Sequence, residues 1–122
     1  MAKVLIIDDE YDILESMQML VESMGYEAET IDNGKKAISM LKKSKYDLVL
    51  LDILMPKISG IETLKKIRED SKIKDQKVIF LSVVSPSRNG KGIIKKLKPL
   101  DYIEKPINNK TFKTKLKKYL GA

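Results

Sequence analysis

Short apolar runs alternate with stripes of apolar residues spaced three and four apart along nearly the whole chain. The first run, Lys3-Val-Leu-Ile-Ile7, is mostly β-branched or leucine and predicts a buried strand. Ile13, Leu14, Met17, Leu20, Val21 and Met24 then recur at helical spacing and predict an amphipathic helix. Gly25 follows directly and suits the left-handed conformation that ends a helix. Glu27–Ile31 reads as a short, polar strand near a sheet edge. Gly34 opens a second helix, which turns Ala37, Ile38 and Leu41 to one side and fades near Ser44. Asp47-Leu-Val-Leu-Leu51 is the most apolar run, so its Leu48–Leu51 strand is predicted to be central. After the loop Pro56-Lys-Ile-Ser-Gly60, Ile61, Leu64 and Ile67 mark a third helix, and Lys77–Leu81 is a strand ended by Ser82.

The last third is less regular. Ser85 to Gly92 reads Ser-Pro-Ser-Arg-Asn-Gly-Lys-Gly, a breaker-rich stretch. It confines a fourth helix to roughly Ile93 to Lys98, or makes it begin irregularly. Tyr102 and Ile103 form a short last strand. Phe112, Leu116 and Leu120 place a final helix from about Asn108, with Asn108 or Asn109 as its N-cap. Five strand–helix pairs with short connections predict one doubly wound α/β domain over residues 1–122.

Composition narrows the chemistry. With 43% hydrophobic residues, the 122-residue chain has enough apolar side chains for a sheet covered on both faces. Met17, Met24 and Met40 fall on the helical stripes and are expected as core fillers. The chain has no cysteine, which excludes disulfides and thiolate chemistry. Without histidine it has no His-based zinc site, no Ser-His-Asp triad and no phosphohistidine of its own. A strand pattern begins at Lys3, leaving no room for a signal peptide, and no apolar stretch approaches the roughly 20 residues that span a bilayer. The expectation is a soluble, cytoplasmic protein without membrane insertion.

The net charge of +7 is unevenly placed. From Arg88 onwards there are 11 basic residues against Asp101 and Glu104, while the first 87 residues are slightly acidic. Such a field attracts acidic proteins, nucleic acid or anionic lipid, and a solvated helical surface accounts for it equally. Lysine dominates and aromatic stacking platforms are missing, so specific nucleic-acid binding by this chain is not expected.

Charged residues at the strand ends carry the candidate chemistry. Asp8 and Asp9 end the first run, Asp52 ends the third, Ser82 ends the fourth, and Lys105 follows the last and precedes Pro106. In an open parallel sheet these ends share one edge, where such folds bind ligands. Clustered carboxylates repel unless a cation neutralises them, and a hard ion such as Mg²⁺ prefers oxygen ligands. A carboxylate left free can attack phosphorus, and Lys105 and the Ser82 hydroxyl can stabilise the phosphoryl oxygens.

These residues lie in motifs that resemble the response-regulator receiver domains of two-component signalling, the CheY-like family. The motifs are Val-Leu-Ile-Ile-Asp8-Asp9-Glu10, Leu-Val-Leu-Leu-Asp52-Ile-Leu-Met-Pro56 with Ser59-Gly60, Phe-Leu-Ser82, and Asp101-Tyr-Ile-Glu-Lys105-Pro106. The resemblance covers essentially the whole chain. It implies a flavodoxin-like (βα)5 parallel sheet in the order 2-1-3-4-5. Asp52 becomes the phosphoryl acceptor, and Asp8, Asp9, Asp52 and the carbonyl of Leu54 hold Mg²⁺. Ser82 and Lys105 contact the phosphoryl group, Ser82 and Tyr102 form the switch, and the Lys105–Pro106 bond is cis. The implied partners are a histidine kinase or phosphotransfer protein, and a downstream protein on the face built by the fourth helix, fifth strand and final helix. Possible self-catalysed phosphorylation and dephosphorylation would serve a switch, not metabolism.

Some positions depart from the family pattern. Val83 stands where Ala or Gly is more usual, Leu54 and Val84 make the rim apolar, and Pro99-Leu100 replaces a Gly-Ala pair. Val83 is expected to slow both donor entry and hydrolysis. Two alternatives stand beside the phosphoryl acceptor: a phosphorylation-independent interaction module, or a receiver excised from a DNA-binding transcriptional regulator. Pro56 and Gly60 are expected to shape the loop beside Asp52, Gly60 by adopting a conformation denied to other residues.

Overall fold

A computed structural model describes residues 2–53, 55, 59–82 and 95–121. These residues form a five-stranded parallel sheet, β1 (Lys3–Ile7), β2 (Glu27–Ile31), β3 (Leu48–Asp52), β4 (Val78–Ser82) and β5 (Asp101–Glu104), in the order β2-β1-β3-β4-β5. Helices α1 (Tyr11–Ser23), α2 (Gly34–Lys43), α3 (Gly60–Glu69) and a C-terminal helix (Asn109–Leu120) cover it. The polar Glu27 strand lies on an edge and the Leu48 strand, apolar up to its closing Asp52, lies in the centre, as the pattern implies. The expected fourth helix falls largely outside the described residues; its end is seen at Lys95 and Lys96, which are helical.

Alternation along the strands divides the core in two. Leu5, Ile7, Val49, Leu51, Val78 and Phe80 face α2 and α3, packing with Ala37, Leu41, Leu64 and Ile67. Val4, Ile6, Leu48, Leu50, Ile79 and Leu81 face the other way, against Leu14, Met17 and Val21 of α1 and Phe112 and Leu116 of the C-terminal helix. Burial on both faces explains why β1, β3 and β4 read as continuous apolar runs. Each fully buried Leu or Ile contributes on the order of 2 kcal/mol by leaving water.

Local chemistry sets the element ends. Asn33, Ser59 and Asn108 each accept a hydrogen bond from the backbone three residues on, so α2, α3 and the C-terminal helix start with side-chain caps. Gly25 has φ +89°, the left-handed conformation that ends α1. Met17 is fully buried, while Met24 and Met40 pack at the margins of the two clusters. Among the described residues no helix is long and apolar enough to cross a membrane.

Candidate functional site

Because every strand runs the same way, the ends of β1, β3, β4 and β5 meet on one edge of the sheet. Asp8 leaves β1 fully buried, and its Oδ1 accepts from the Glu10 amide at 3.0 Å. Asp52 closes β3 at 4% exposure, and Ser82 closes β4 at 3%. The backbone N–H of Lys105 donates to Ser82 O at 2.8 Å, and the Lys105–Pro106 peptide is cis. The lysine thus starts at the far side of β4 and reaches back across the edge.

Its ammonium lies 2.7 Å from Asp8 Oδ2 and 3.4 Å from Asp52 Oδ1, with the side chain only 8% exposed. Burial works against the lysine's charge. The Asp8 hydrogen bond and the charges of Asp52 and Asp8 outweigh burial, so its pKa lies above the ordinary value. The ammonium is therefore a fixed positive centre at neutral pH. Asp8, Asp9 and Glu10 each bring a carboxylate oxygen within 4.8 Å of the others, Asp8 buried and the other two exposed.

This donor set fits a hard divalent cation. All three groups offer oxygen, and Lys105 supplies one positive charge to a site holding Asp8, Asp9, Glu10 and Asp52. Glu10 is the member the sequence reading passed over. Its signal was adjacency to Asp8 and Asp9, but a residue entering α1 reads as an ordinary helix-start acid. The carbonyl of Leu54, expected as a ligand, and the rim residues Val83 and Val84 lie outside the described residues.

Gly60 corrects one expectation. Its backbone is not left-handed; glycine is needed there because an added Cβ would meet Asp52 O at 2.1 Å. The start of α3 presses on the end of β3, and the Gly60 amide donates to Ile53 O at 2.8 Å. Tyr102 sits one strand over from Phe80, half-buried, with the ring centroids 6.1 Å apart. Burial, then the Asp101 charge, raise its phenol pKa. It lies among the β4 and β5 residues that lead to the edge, and the Asp8–Asp52–Lys105 contacts do not include it.

The family model of the response regulator receiver domain matches residues 4–117. The chain belongs to this family. The receiver is 47% identical over 73 residues to a transcriptional regulatory protein CpxR homolog of Haemophilus influenzae, a match covering 60% of this chain and 32% of that protein. It is 30% identical over 118 residues to the polar-differentiation response regulator DivK of Brucella anthropi, covering 97% and 95% of the two chains. Among solved structures, the response regulator TrrA of Thermotoga maritima, in complex with Mg²⁺ and BeF, superposes with TM-score 0.85 at 37% identity. That match covers 98% of this chain and 100% of TrrA. The receiver spans 32% of the CpxR homolog and about half of two other transcriptional regulators it matches, 55% and 48%. The (βα)5 flavodoxin-like fold and the acidic cluster are those typical of phosphoaccepting response regulators.

Proposed function

We propose that the receiver accepts a phosphoryl group from a phosphohistidine of a partner kinase or phosphotransfer protein onto Asp52. The observation that carries this reading is the buried Lys105 ammonium, held between Asp8 and Asp52. An Asp52 carboxylate oxygen attacks phosphorus as the P–N bond to the donor imidazole breaks. The bonding electrons leave with the imidazole nitrogen, and the product is a mixed anhydride on Asp52. Lys105 exchanges its hold on the carboxylates for a phosphoryl oxygen, and the Ser82 hydroxyl donates to another. Asp8, Asp9, Asp52 and the Leu54 carbonyl would hold Mg²⁺, which when bound supplies charge neutralisation for the carboxylates and phosphoryl oxygens. TrrA, 37% identical to this receiver, is in complex with Mg²⁺ and BeF, which supports a Mg²⁺ site in this fold.

Residues 1–122 act on this reading as one domain in the cytoplasm. Movement of Ser82 and Tyr102 alters the face of the fourth helix, β5 and C-terminal helix, where a downstream protein binds. The test is intact mass after incubation with a small phosphodonor and Mg²⁺. Wild type gains one phosphoryl group and Asp52→Asn gains none; equal labelling of the variant would sink the assignment.

A further inference from the structure

The C-terminal helix carries Lys110, Lys113, Lys115, Lys117 and Lys118 and not one acidic residue. Lys115 has a structural task, since it pairs with Asp101 at 3.2 Å and donates to Tyr102 O. Lys110, Lys113 and Lys117 are exposed, and none pairs with a described carboxylate. Their three-and-four spacing puts them on one stripe, about 10 Å long at 1.5 Å per residue.

Helix stability does not call for this stripe. Lys110 sits in the first turn, where the backbone dipole favours acids and none is present. Lys110–Lys113 and Lys113–Lys117 are like-charge neighbours at repulsive spacings. By contrast, α3 interleaves Glu62 and Glu69 with its bases. A membrane is a poor occupant, because the helix's apolar side, Phe112 and Leu116, is sealed in the core and leaves nothing to insert. Nucleic acid is poorly served by a lysine stripe with no arginine or aromatic residue. A row of carboxylates at helical spacing complements the stripe in charge and length.

We propose that Lys110, Lys113 and Lys117 dock an acidic helical segment of a partner protein. This rests on the reading that the receiver signals through protein contacts, and it names the chemistry of one on the flank of the C-terminal helix opposite the β5-facing Lys115. The experiment titrates the full chain by fluorescence anisotropy at near-physiological salt. The probes are a helical peptide with Glu at positions i, i+3 and i+7, a scrambled peptide of equal charge and a short DNA duplex; anionic vesicles are tested by co-sedimentation. Two triple variants are compared: Lys110→Gln/Lys113→Gln/Lys117→Gln, and the charge-matched control Lys65→Gln/Lys72→Gln/Lys74→Gln on exposed sites elsewhere. The stripe variant should bind the helical peptide roughly tenfold more weakly than wild type, with the control unchanged and the scrambled peptide weak throughout. A third variant with arginine at the three stripe positions should retain binding. Equal losses in stripe and control variants, tighter binding to duplex or vesicles, or no peptide binding would each overturn the proposal. Asp52→Asn leaves the unmodified stripe intact, so failed phosphorylation and failed docking read out separately.

Discussion

At Asp8 a carboxylate with no exposed surface is held by one ammonium and one backbone amide. Lys105 cannot neutralise Asp8, Asp9, Glu10 and Asp52 together, so the metal-free site carries excess negative charge. Replacing the exposed Asp9 by Asn removes one repulsive charge without opening the core. The variant should gain about 0.5–1 kcal/mol of stability without Mg²⁺, and on the proposed reading added Mg²⁺ should stabilise it far less than wild type. Thermal melts with and without Mg²⁺ check both signs. Superimposable responses of the two proteins to Mg²⁺ would remove Asp9 from the cation site.

Contacts between elements reveal an anchor that the sequence pattern conceals. Arg68, near the end of α3, donates to the carbonyls of Leu97 at 2.7 Å, Lys74 at 2.8 Å, Gln76 at 2.7 Å and Lys98 at 3.1 Å. One guanidinium thereby ties α3 to the approaches of both β4 and β5, including Lys98 at φ 52°. Arg68→Met should cost about 2–4 kcal/mol in denaturant unfolding, because several carbonyls lose a charged donor at once. A loss below the error of the measurement would show that water replaces the guanidinium freely. This anchor was not legible because its partners are backbone groups up to 30 positions away, which leave no periodic or compositional trace. The cap of the C-terminal helix was legible, since Asn108 acts within three residues of itself.

The C-terminal helix is tied to β5 in the same side-chain-to-strand manner. Asp101 accepts from the Tyr102 amide, the Tyr119 hydroxyl and Lys115. Burial would raise its pKa, but these donors prevail and hold it below the ordinary value of 3.8. A lowered carboxylate stabilises the fold above its unfolded pKa and loses that contribution as pH falls through the folded one. Asp101→Asn should therefore be about 1–2 kcal/mol less stable than wild type at pH 7, with the gap closing below about pH 3.8. Urea titrations across this range measure it, and a gap independent of pH would assign the loss to packing instead.

At the scale of the molecule, two apolar layers about one parallel sheet bring residues from four strand ends to one edge. The period of apolar residues was enough to find the strands, and parallel winding was enough to place Asp8, Asp52, Ser82 and Lys105 together. What it missed was distance-dependent: that Lys105 contacts both Asp8 and Asp52, that Glu10 joins the acidic group, and that Gly60 is demanded by the Asp52 carbonyl rather than by its own dihedral angles. The proposed phosphoryl transfer requires Asp52 to form an acyl phosphate. Borohydride reduces that mixed anhydride to an alcohol, converting a phosphorylated aspartate to homoserine. After treatment with a phosphodonor and Mg²⁺, followed by borohydride, peptide mass spectrometry should find homoserine at position 52 alone. Homoserine at another carboxylate, or at no position despite a phosphoryl adduct on the intact protein, would contradict it.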